Sequence, residues 1–153
     1  MMKKTAKNIK ETGKIAKTFL QKILKDKNHG GKATIVCLSG NLGAGKTALV
    51  KEVAQHLGIK RKIQSPTFVI MKKYLLKNKK HKFLFHLDAY RLKDEKELSY
   101  LGWEEIIEDQ GHLVFIEWPE NVSKIIPARA HRIFISIKNT QGHRNFELKR
   151  WKS

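Results

Sequence analysis

The sequence is poor in cysteine and has no long apolar run. Cys37 is its one cysteine among 153 residues, which excludes an internal disulfide. Its position within the apolar run ATIVCL predicts a buried, reduced thiol. No stretch approaches the roughly 18 uninterrupted apolar residues that a membrane-spanning helix needs, and the lysine-rich start MMKKTAKNIKETGKIAKTFL lacks the apolar segment of a secretory signal. We therefore expect a cytoplasmic protein with no membrane partner.

Acidic residues are also scarce, because 14 Asp and Glu stand against 32 Lys and Arg and the formal net charge is +18. Such a charge favours contact with nucleic acid or another polyanion. The lysines are spread through KNIKETGKIAK, KRK, MKKY and KNKKHK rather than gathered beside aromatic residues. Two interpretations therefore stay open, a surface that binds nucleic acid and a generally basic, solvated surface.

The order of apolar patterns and turn residues predicts one α/β domain over residues 1–153. The predicted elements are an N-terminal helix at about 5–25, the strand ATIVCL, the helix TALVKEVAQHLG, a hairpin of FVIMKKYLL with KFLFHLDAY, a helix over 94–108 broken near Gly102, the strand HLVFIEW and a C-terminal hairpin at about 131–150. Strands that alternate with helices favour a central, mostly parallel or mixed sheet flanked by helices.

Residues 40–47, GNLGAGKT, fit the phosphate-loop pattern G-x-x-x-x-G-K-[ST] and stand between an apparent strand and a helix, as that motif requires. Glycines let the backbone bend so that N–H groups converge on phosphate oxygens. Lys46 adds a positive charge for the outer phosphates, and the hydroxyl of Thr47 is a ligand for Mg²⁺. The predicted nucleotide contacts in this segment are Asn41, Leu42, Gly43, Ala44, Gly45, Lys46, Thr47 and Ala48.

Two carboxylates stand at the ends of apolar runs, where ligands bind in an open α/β sheet. Glu117 ends LVFIE and is predicted to hold Mg²⁺ together with Thr47. Asp88 ends FLFHLD and is predicted to orient the attacking water or to sit in the outer shell of the metal. His86 shares a strand face with Asp88, which leaves a metal pair as an alternative, although two ligands make a poor metal site. We favour a structural or hydrogen-bonding role for His86.

The sequence lacks the guanine-reading motif N-K-x-D and the switch motif D-x-x-G, so ATP or ADP with Mg²⁺ is expected rather than GTP. A small-molecule or nucleoside kinase of the P-loop class is the alternative. Kinases of that kind usually carry an arginine-bearing lid, and no segment here has that character.

Several motifs occur together in a fixed order: LSGNLGAGKT, SPTF at 65–68, FHLDAYRL at 85–92, ELSYLGWEEII and IEWPEN at 116–121. In this combination the chain resembles the TsaE family of bacterial P-loop ATPases over nearly its whole length. The resemblance implies slow ATP hydrolysis that supports the synthesis of threonylcarbamoyladenosine beside the tRNA anticodon. It also implies TsaB-like and TsaD-like partners, with tRNA contacted indirectly or through the basic surface.

The resemblance also implies roles for particular residues. Lys46, Asp88 and Glu117 take the catalytic positions, and Thr47 and Glu117 take the metal positions. Thr67 of SPTF falls in a switch-like loop at the γ-phosphate, and Trp118 is the aromatic residue next to the acid. Arg144, in Gly142-His143-Arg144, is the candidate for a glycine-arginine step that contacts nucleotide in the family.

Overall fold

A computed structural model describes residues 1–66, 69–77 and 79–152 of the chain. Its strands are β1 (Met2–Ala6), β2 (Thr34–Ser39), β3 (Met71–Leu75), β4 (Phe83–Asp88), β5 (His112–Glu117), β6 (His131–Ile137) and β7 (Arg144–Arg150). Its helices are α1 (Ile9–Lys25), α2 (Lys46–His56), α3 (Lys96–Tyr100) and α4 (Trp103–Glu108), and a 3₁₀ segment covers Pro119–Ile125. None of the helices in the described ranges is long and apolar enough to cross a membrane.

The seven strands form one mixed sheet in the order β1-β7-β6-β2-β5-β4-β3. The four central strands β6, β2, β5 and β4 are parallel, whereas β1, β7 and β3 add at the two edges in antiparallel pairs. A sheet of this kind, flanked by helices, confirms the predicted α/β class. The central strands TIVCLS, FLFHLD and HLVFIE are almost wholly buried, as expected for parallel strands covered on both faces.

Two apolar layers cover the sheet. On one face, α1 and α2 pack through side chains such as Phe19, Ile23 and Leu49 against β2, β5 and β6. On the other face, α3, α4 and the 3₁₀ segment contribute Leu98, Trp103 and neighbouring residues. The helical stretch predicted over 94–108 is broken at Gly102, where φ is 85°, as the glycine suggested.

The start of the N-terminal helix differs from the prediction of about 5–25. α1 begins at Ile9, because Asn8 caps it by accepting a hydrogen bond from the Glu11 N–H at 2.9 Å. Residues before Asn8 belong to β1, which pairs antiparallel with β7 some 140 residues away in the sequence. The lysine-rich segment MKKTA has little apolar pattern of its own, so its pairing with β7 defines it as a strand.

Strand register brings the carboxyl ends of the central strands together. In the β2–β5 pair Leu38 lies opposite Glu117, and in the β4–β5 pair Asp88 lies opposite Glu117. The loop that follows β2 therefore stands beside the acids that end β4 and β5.

Candidate nucleotide-binding site

The loop between β2 and α2 bends through three glycines with positive φ, and Gly43 is one of them with φ 80°. Gly40 has φ 148° and Gly45 has φ 113°, angles that residues with a side chain rarely adopt. A Cβ atom on Gly40 would lie 2.3 Å from the carbonyl oxygen of Ile135 on β6, so the close packing of loop and sheet requires glycine there. α2 begins directly after Gly45. The loop therefore surrounds a helix N-terminus, whose free N–H groups and dipole attract anions.

Lys46 lies under this loop and is 5% exposed. Its Nζ atom donates to the carbonyl oxygens of Gly40 at 2.6 Å and Asn41 at 3.0 Å, and it lies 4.1 Å from the ring centroid of Trp118. Burial lowers the pKa of Lys46, whereas nearby carboxylates, Glu117 foremost, oppose that shift. The ammonium group is thus held at the loop by carbonyl oxygens, an aromatic face and acidic neighbours.

Glu117 connects the loop with strand β4. The hydroxyl of Thr47 donates to both carboxylate oxygens of Glu117, at 3.0 and 2.9 Å. On the other side, Nε2 of His86 lies 2.6 Å from Oε2 of Glu117. His86 is 0% exposed and Glu117 is 3% exposed, whereas Thr47 is half-buried, so the row runs from the buried sheet to the loop.

The hydrogen-bond pattern indicates the tautomer of His86. Its Nδ1 atom is buried and has no hydrogen-bond partner among the described residues. A hydrogen on that atom would be a buried donor left unpaired, which costs about 1–3 kcal/mol. The ring therefore carries its hydrogen on Nε2 and donates it to the carboxylate of Glu117.

Asp88 ends β4 next to this row. It is buried, and its Oδ1 atom accepts a hydrogen bond from the Tyr90 N–H at 2.9 Å. The ring centroid of Tyr90 lies 5.0 Å from that of Trp118, and Trp118 has a left-handed backbone with φ 59°. The positive φ turns the chain sharply after Glu117 and brings the indole over Lys46.

These side chains surround a cavity of about 310 Å³ at the phosphate loop. The loop and the first turn of α2 line one side, and Asp88, Tyr90, Glu117 and Trp118 line the other. Ser65 also contacts the cavity. The cavity thus combines a helix N-terminus and a lysine with two carboxylates, which suits a polyphosphate that carries a divalent cation.

A second cavity of about 180 Å³ lies beside the loop. Arg144 on β7 forms part of its wall and donates through Nε to Ala44 O at 2.9 Å and through Nη1 to Gly142 O at 2.6 Å. The other wall comes from the entry to α1, including Asn8 and Thr12. Gly45 and Ala48 line both cavities, so the two spaces adjoin at the start of α2.

Most of the residues predicted for the site come together in the structure. The phosphate-side cavity collects Leu42, Gly43, Gly45, Lys46, Thr47, Ala48, Asp88, Glu117 and Trp118, and the second cavity collects Ala44, Gly45, Ala48 and Arg144. Asn41 contributes its carbonyl oxygen to Lys46. Thr67 lies outside the described residues. The alternative His86–Asp88 metal pair gains no support, because the described part of the chain holds no group of three or more His, Cys, Asp or Glu residues suited to a metal ion.

The sequence analysis missed two parts of the site. Ala6, Asn8, Ile9 and Thr12 line the second cavity, but none of them was among the predicted site residues, because no nucleotide contact was assigned to the predicted helix at about 5–25. Tyr90 was also missed, although it lies within the motif FHLDAYRL. Its position two residues after Asp88 could have indicated that it belongs to the site.

Comparison with known proteins places these features in a family. The family model described as "Threonylcarbamoyl adenosine biosynthesis protein TsaE" matches residues 6–146. A Haemophilus influenzae protein named tRNA threonylcarbamoyladenosine biosynthesis protein TsaE is 34% identical over 135 residues, which are 88% of this chain and 80% of that protein. The protein of the same name from Rickettsia prowazekii is 37% identical over 124 residues, 80% of this chain and 77% of that protein.

The fold gives a consistent result. The crystal structure of Bacillus subtilis YdiB matches with a TM-score of 0.70 and 29% sequence identity, covering 95% of this chain and 82% of that chain. Both the sequence and the arrangement of strands and helices are therefore shared over most of the chain. With a family match along residues 6–146 and relatives that are 34% and 37% identical over the aligned residues, the chain belongs to the TsaE family.

Proposed function

We propose that this protein is a magnesium-dependent ATPase that acts in the synthesis of threonylcarbamoyladenosine in tRNA. The observation that carries the proposal is the contact between Thr47 of the phosphate loop and the buried carboxylate of Glu117, in a chain whose relatives are named for that biosynthesis. The kinase alternative gains no comparable support, because no relative named above is a kinase.

The two adjoining cavities support a nucleotide whose phosphates lie at the loop and whose nucleoside lies beside α1. The N–H groups of the loop and Lys46 would bind the phosphates. Asn8, Thr12 and Arg144 supply polar groups to the second cavity, where the ribose and base would lie. Adenine is expected over guanine because the sequence lacks a guanine-reading motif.

The donors at the loop fit Mg²⁺. Hydroxyl and carboxylate oxygens are the ligands that this hard cation prefers, and Thr47 and Glu117 bring them together, with Asp88 beside them. When bound, Mg²⁺ neutralises part of the negative charge on the outer phosphates. His86 and Thr47 hold the carboxylate of Glu117 from two sides, which fixes its orientation before the metal arrives.

The same residues suit hydrolysis of the outer phosphate. Water attacks the γ-phosphorus, and the bond to the bridging oxygen of ADP breaks as the new P–O bond forms. Asp88 and Glu117 are the carboxylates available to orient that water and accept its proton, and Lys46 stabilises the charge on the departing phosphates. Trp118 and Tyr90, whose ring centroids lie 5.0 Å apart, line the cavity and would limit the access of bulk water.

Hydrolysis without an acceptor molecule is useful when the ATP and ADP states present different surfaces to a partner. The partners that the family resemblance implies are TsaB-like and TsaD-like proteins. We therefore propose that the isolated protein turns over ATP slowly and that these partners change the rate. The γ-phosphate contact of Thr67 stays a prediction.

Two substitutions test the assignment of roles. Lys46→Ala should weaken binding of Mg-ATP, because it removes the cation that faces the phosphates. Glu117→Ala should spare much of the binding and slow single-turnover hydrolysis, because the carboxylate acts mainly in the transition state. Calorimetry with ATP, ADP and GDP gives the affinities, and release of labelled phosphate gives the rate. Hydrolysis within about threefold of the wild-type rate in Glu117→Ala, some 0.7 kcal/mol of barrier, would remove the basis for the proposed mechanism.

A further inference from the structure

Half of the formal net charge of the chain lies in one segment, and the proposed nucleotide chemistry uses none of the Lys and Arg residues in it. Residues 53–87 contain nine Lys and Arg residues and no Asp or Glu. This segment therefore carries +9 of the formal net charge of +18. It includes the end of α2, the strand β3 and the connection to β4.

The fold gathers five of these cations around one groove of about 840 Å³ at the β3 edge of the sheet. We call this surface the basic groove, and its cations are Lys60, Arg61, Lys73, Lys77 and Lys79. Lys60 and Arg61 follow the end of α2, Lys73 belongs to β3, and the last two belong to the connection between β3 and β4. All five are exposed, so cations from three parts of the segment border the same groove.

Two of these cations are held in place by aromatic rings. The guanidinium of Arg61 lies 4.6 Å from the ring centroid of Tyr74, and its Nη2 atom donates to the carbonyl oxygen of Lys73 at 3.3 Å. Nζ of Lys73 lies 4.1 Å from the ring centroid of Phe83. Such contacts reduce the conformational entropy that these long side chains would lose on binding a ligand.

The cations of the groove have no acidic partner within the part of the chain that the structure describes. Among residues 1–66, 69–77 and 79–152, none of the ion pairs includes any of its five cations. Lysine on an edge strand commonly prevents pairing with other chains, and that explains Lys73. It does not explain Lys60, Arg61, Lys77 and Lys79, which lie outside the strand and border a concavity.

We propose that the basic groove binds the phosphate backbone of tRNA, an inference that rests on the proposed function for the identity of the nucleic acid. A row of exposed cations without acids is the electrostatic footprint of a phosphate-binding surface. Tyr74 is 4% exposed and carries Arg61 over its ring, and Lys73 lies over the ring of Phe83, so both rings of the groove within the described residues are engaged by its own cations. Binding is therefore to the backbone and independent of nucleotide sequence.

The groove also adjoins the nucleotide site along the chain. Residues 57–61 line the groove, and Ser65, four residues after Arg61, lines the phosphate-side cavity. RNA on the groove therefore lies next to the segment that leads into the site of ATP hydrolysis.

A matched pair of triple variants tests the proposal. The groove variant is Lys60→Gln, Lys77→Gln and Lys79→Gln, which leaves the ring-bound Arg61 and Lys73 intact. The control variant replaces three exposed lysines on the outer face of α1, Lys10, Lys14 and Lys17, by Gln. Both variants lose three positive charges, so a general attraction to the whole protein weakens equally in both.

The assay is fluorescence anisotropy of labelled tRNA with each protein alone, from 50 to 300 mM KCl, without nucleotide or partner proteins. Each lysine–phosphate contact contributes about 0.7–0.9 to the slope of log K against log salt. Three contacts at about 0.7 each contribute a slope of about 2, which amounts to about two log units of the binding constant between 1 M and 0.1 M salt. Because the groove variant lacks these contacts, it should bind tRNA about a hundredfold more weakly than the wild-type protein near 0.1 M salt. Its salt slope should be shallower by about 2 to 3, whereas the control should lose only the small part of the affinity and slope that general attraction supplies.

Three results would overturn the proposal. The first is that the wild-type protein does not bind tRNA at 100 mM KCl. The second is that the affinities of the two triple variants for tRNA lie within about threefold of each other. The third is that the protein binds polyglutamate through the groove and does not bind tRNA. The last result would assign the groove to an acidic polypeptide. None of these measurements requires ATP hydrolysis, so they test the groove separately from the proposed function. If the groove proposal fails and depletion of the protein still removes threonylcarbamoyladenosine from tRNA, the proposed function stands.

Discussion

His86 offers a sharp test of how the site is held together, because its ring reaches Glu117 through one defined atom. Nε2 of His86 donates to Glu117 Oε2 at 2.6 Å from a fully buried position. The amide nitrogen of Gln is as many bonds from Cβ as Nε2, whereas that of Asn reaches only as far as Nδ1. His86→Gln can therefore restore the hydrogen bond, and His86→Asn removes it while keeping a polar side chain.

The size of the effect follows from the type of hydrogen bond. A hydrogen bond to a charged group contributes about 1.5–3 kcal/mol. If the bond holds Glu117 in the orientation that the transition state needs, its loss raises the barrier by that amount. At about 1.36 kcal/mol for each factor of ten, His86→Asn should slow ATP hydrolysis by about 10- to 150-fold. His86→Gln should stay within about threefold of the wild-type rate.

Single-turnover hydrolysis at a series of Mg²⁺ concentrations separates positioning from general stability. In His86→Asn the carboxylate of Glu117 keeps only its hydrogen bond from Thr47. This variant should therefore need more Mg²⁺ to reach its half-maximal rate, with little change in its affinity for ATP. Urea unfolding of each variant gives the change in stability and shows that the protein is folded in the assay. Equal rates for the Asn and Gln variants, both folded, would refute the positioning role of His86.

Three further predictions follow from other parts of the structure. Gly40→Ala should abolish ATP binding and lower the free energy of unfolding by more than about 3 kcal/mol, because its Cβ would lie 2.3 Å from Ile135 O. Gly43→Ala is the control for that change, since nothing lies within 4 Å of its added Cβ at φ 80°, and urea unfolding should show a loss of only about 1–2 kcal/mol. Burial lowers the pKa of His81 from 6.5 to about 4. Between pH 6.5 and pH 4, His81 therefore binds a proton in the unfolded chain but not in the folded chain. Stability should therefore fall between pH 6.5 and pH 4 by at most about 3 kcal/mol, and urea unfolding should show a weaker fall in His81→Gln. In calorimetry ADP should bind more tightly than GDP, and equal or tighter binding of GDP would contradict the adenine preference.

The sequence was most informative where short segments determine their own structure. ATIVCL, GNLGAGKT and the following helix form a local strand–loop–helix unit, and the structure has β2, the phosphate loop and α2 there. Apolar runs that end in Asp88 and Glu117 predicted two acids at one sheet edge, and the β4–β5 register places them opposite each other.

Features that depend on distant pairing were not predictable in the same way. β1 exists because MKKTA pairs with β7, and that pairing brings Asn8 and Thr12 to the second cavity. The hydrogen bond between His86 and Glu117 depends on side-chain directions across two strands, although a hydrogen-bonding role for His86 was expected. The lysines, spread along the sequence, converge beside Tyr74 and Phe83 because the end of α2 and the β3 edge meet in space.

The central claim is that ATP hydrolysis at this site supports threonylcarbamoyladenosine synthesis, and mass spectrometry of digested tRNA tests it most directly. Cells depleted of the protein should lose the modified nucleoside from tRNAs that read codons beginning with A. Re-expression of the wild-type chain should restore it, whereas Glu117→Ala, expressed to the same level, should not. An unchanged amount of threonylcarbamoyladenosine after full depletion would contradict the account, whatever ATPase activity the purified protein displays.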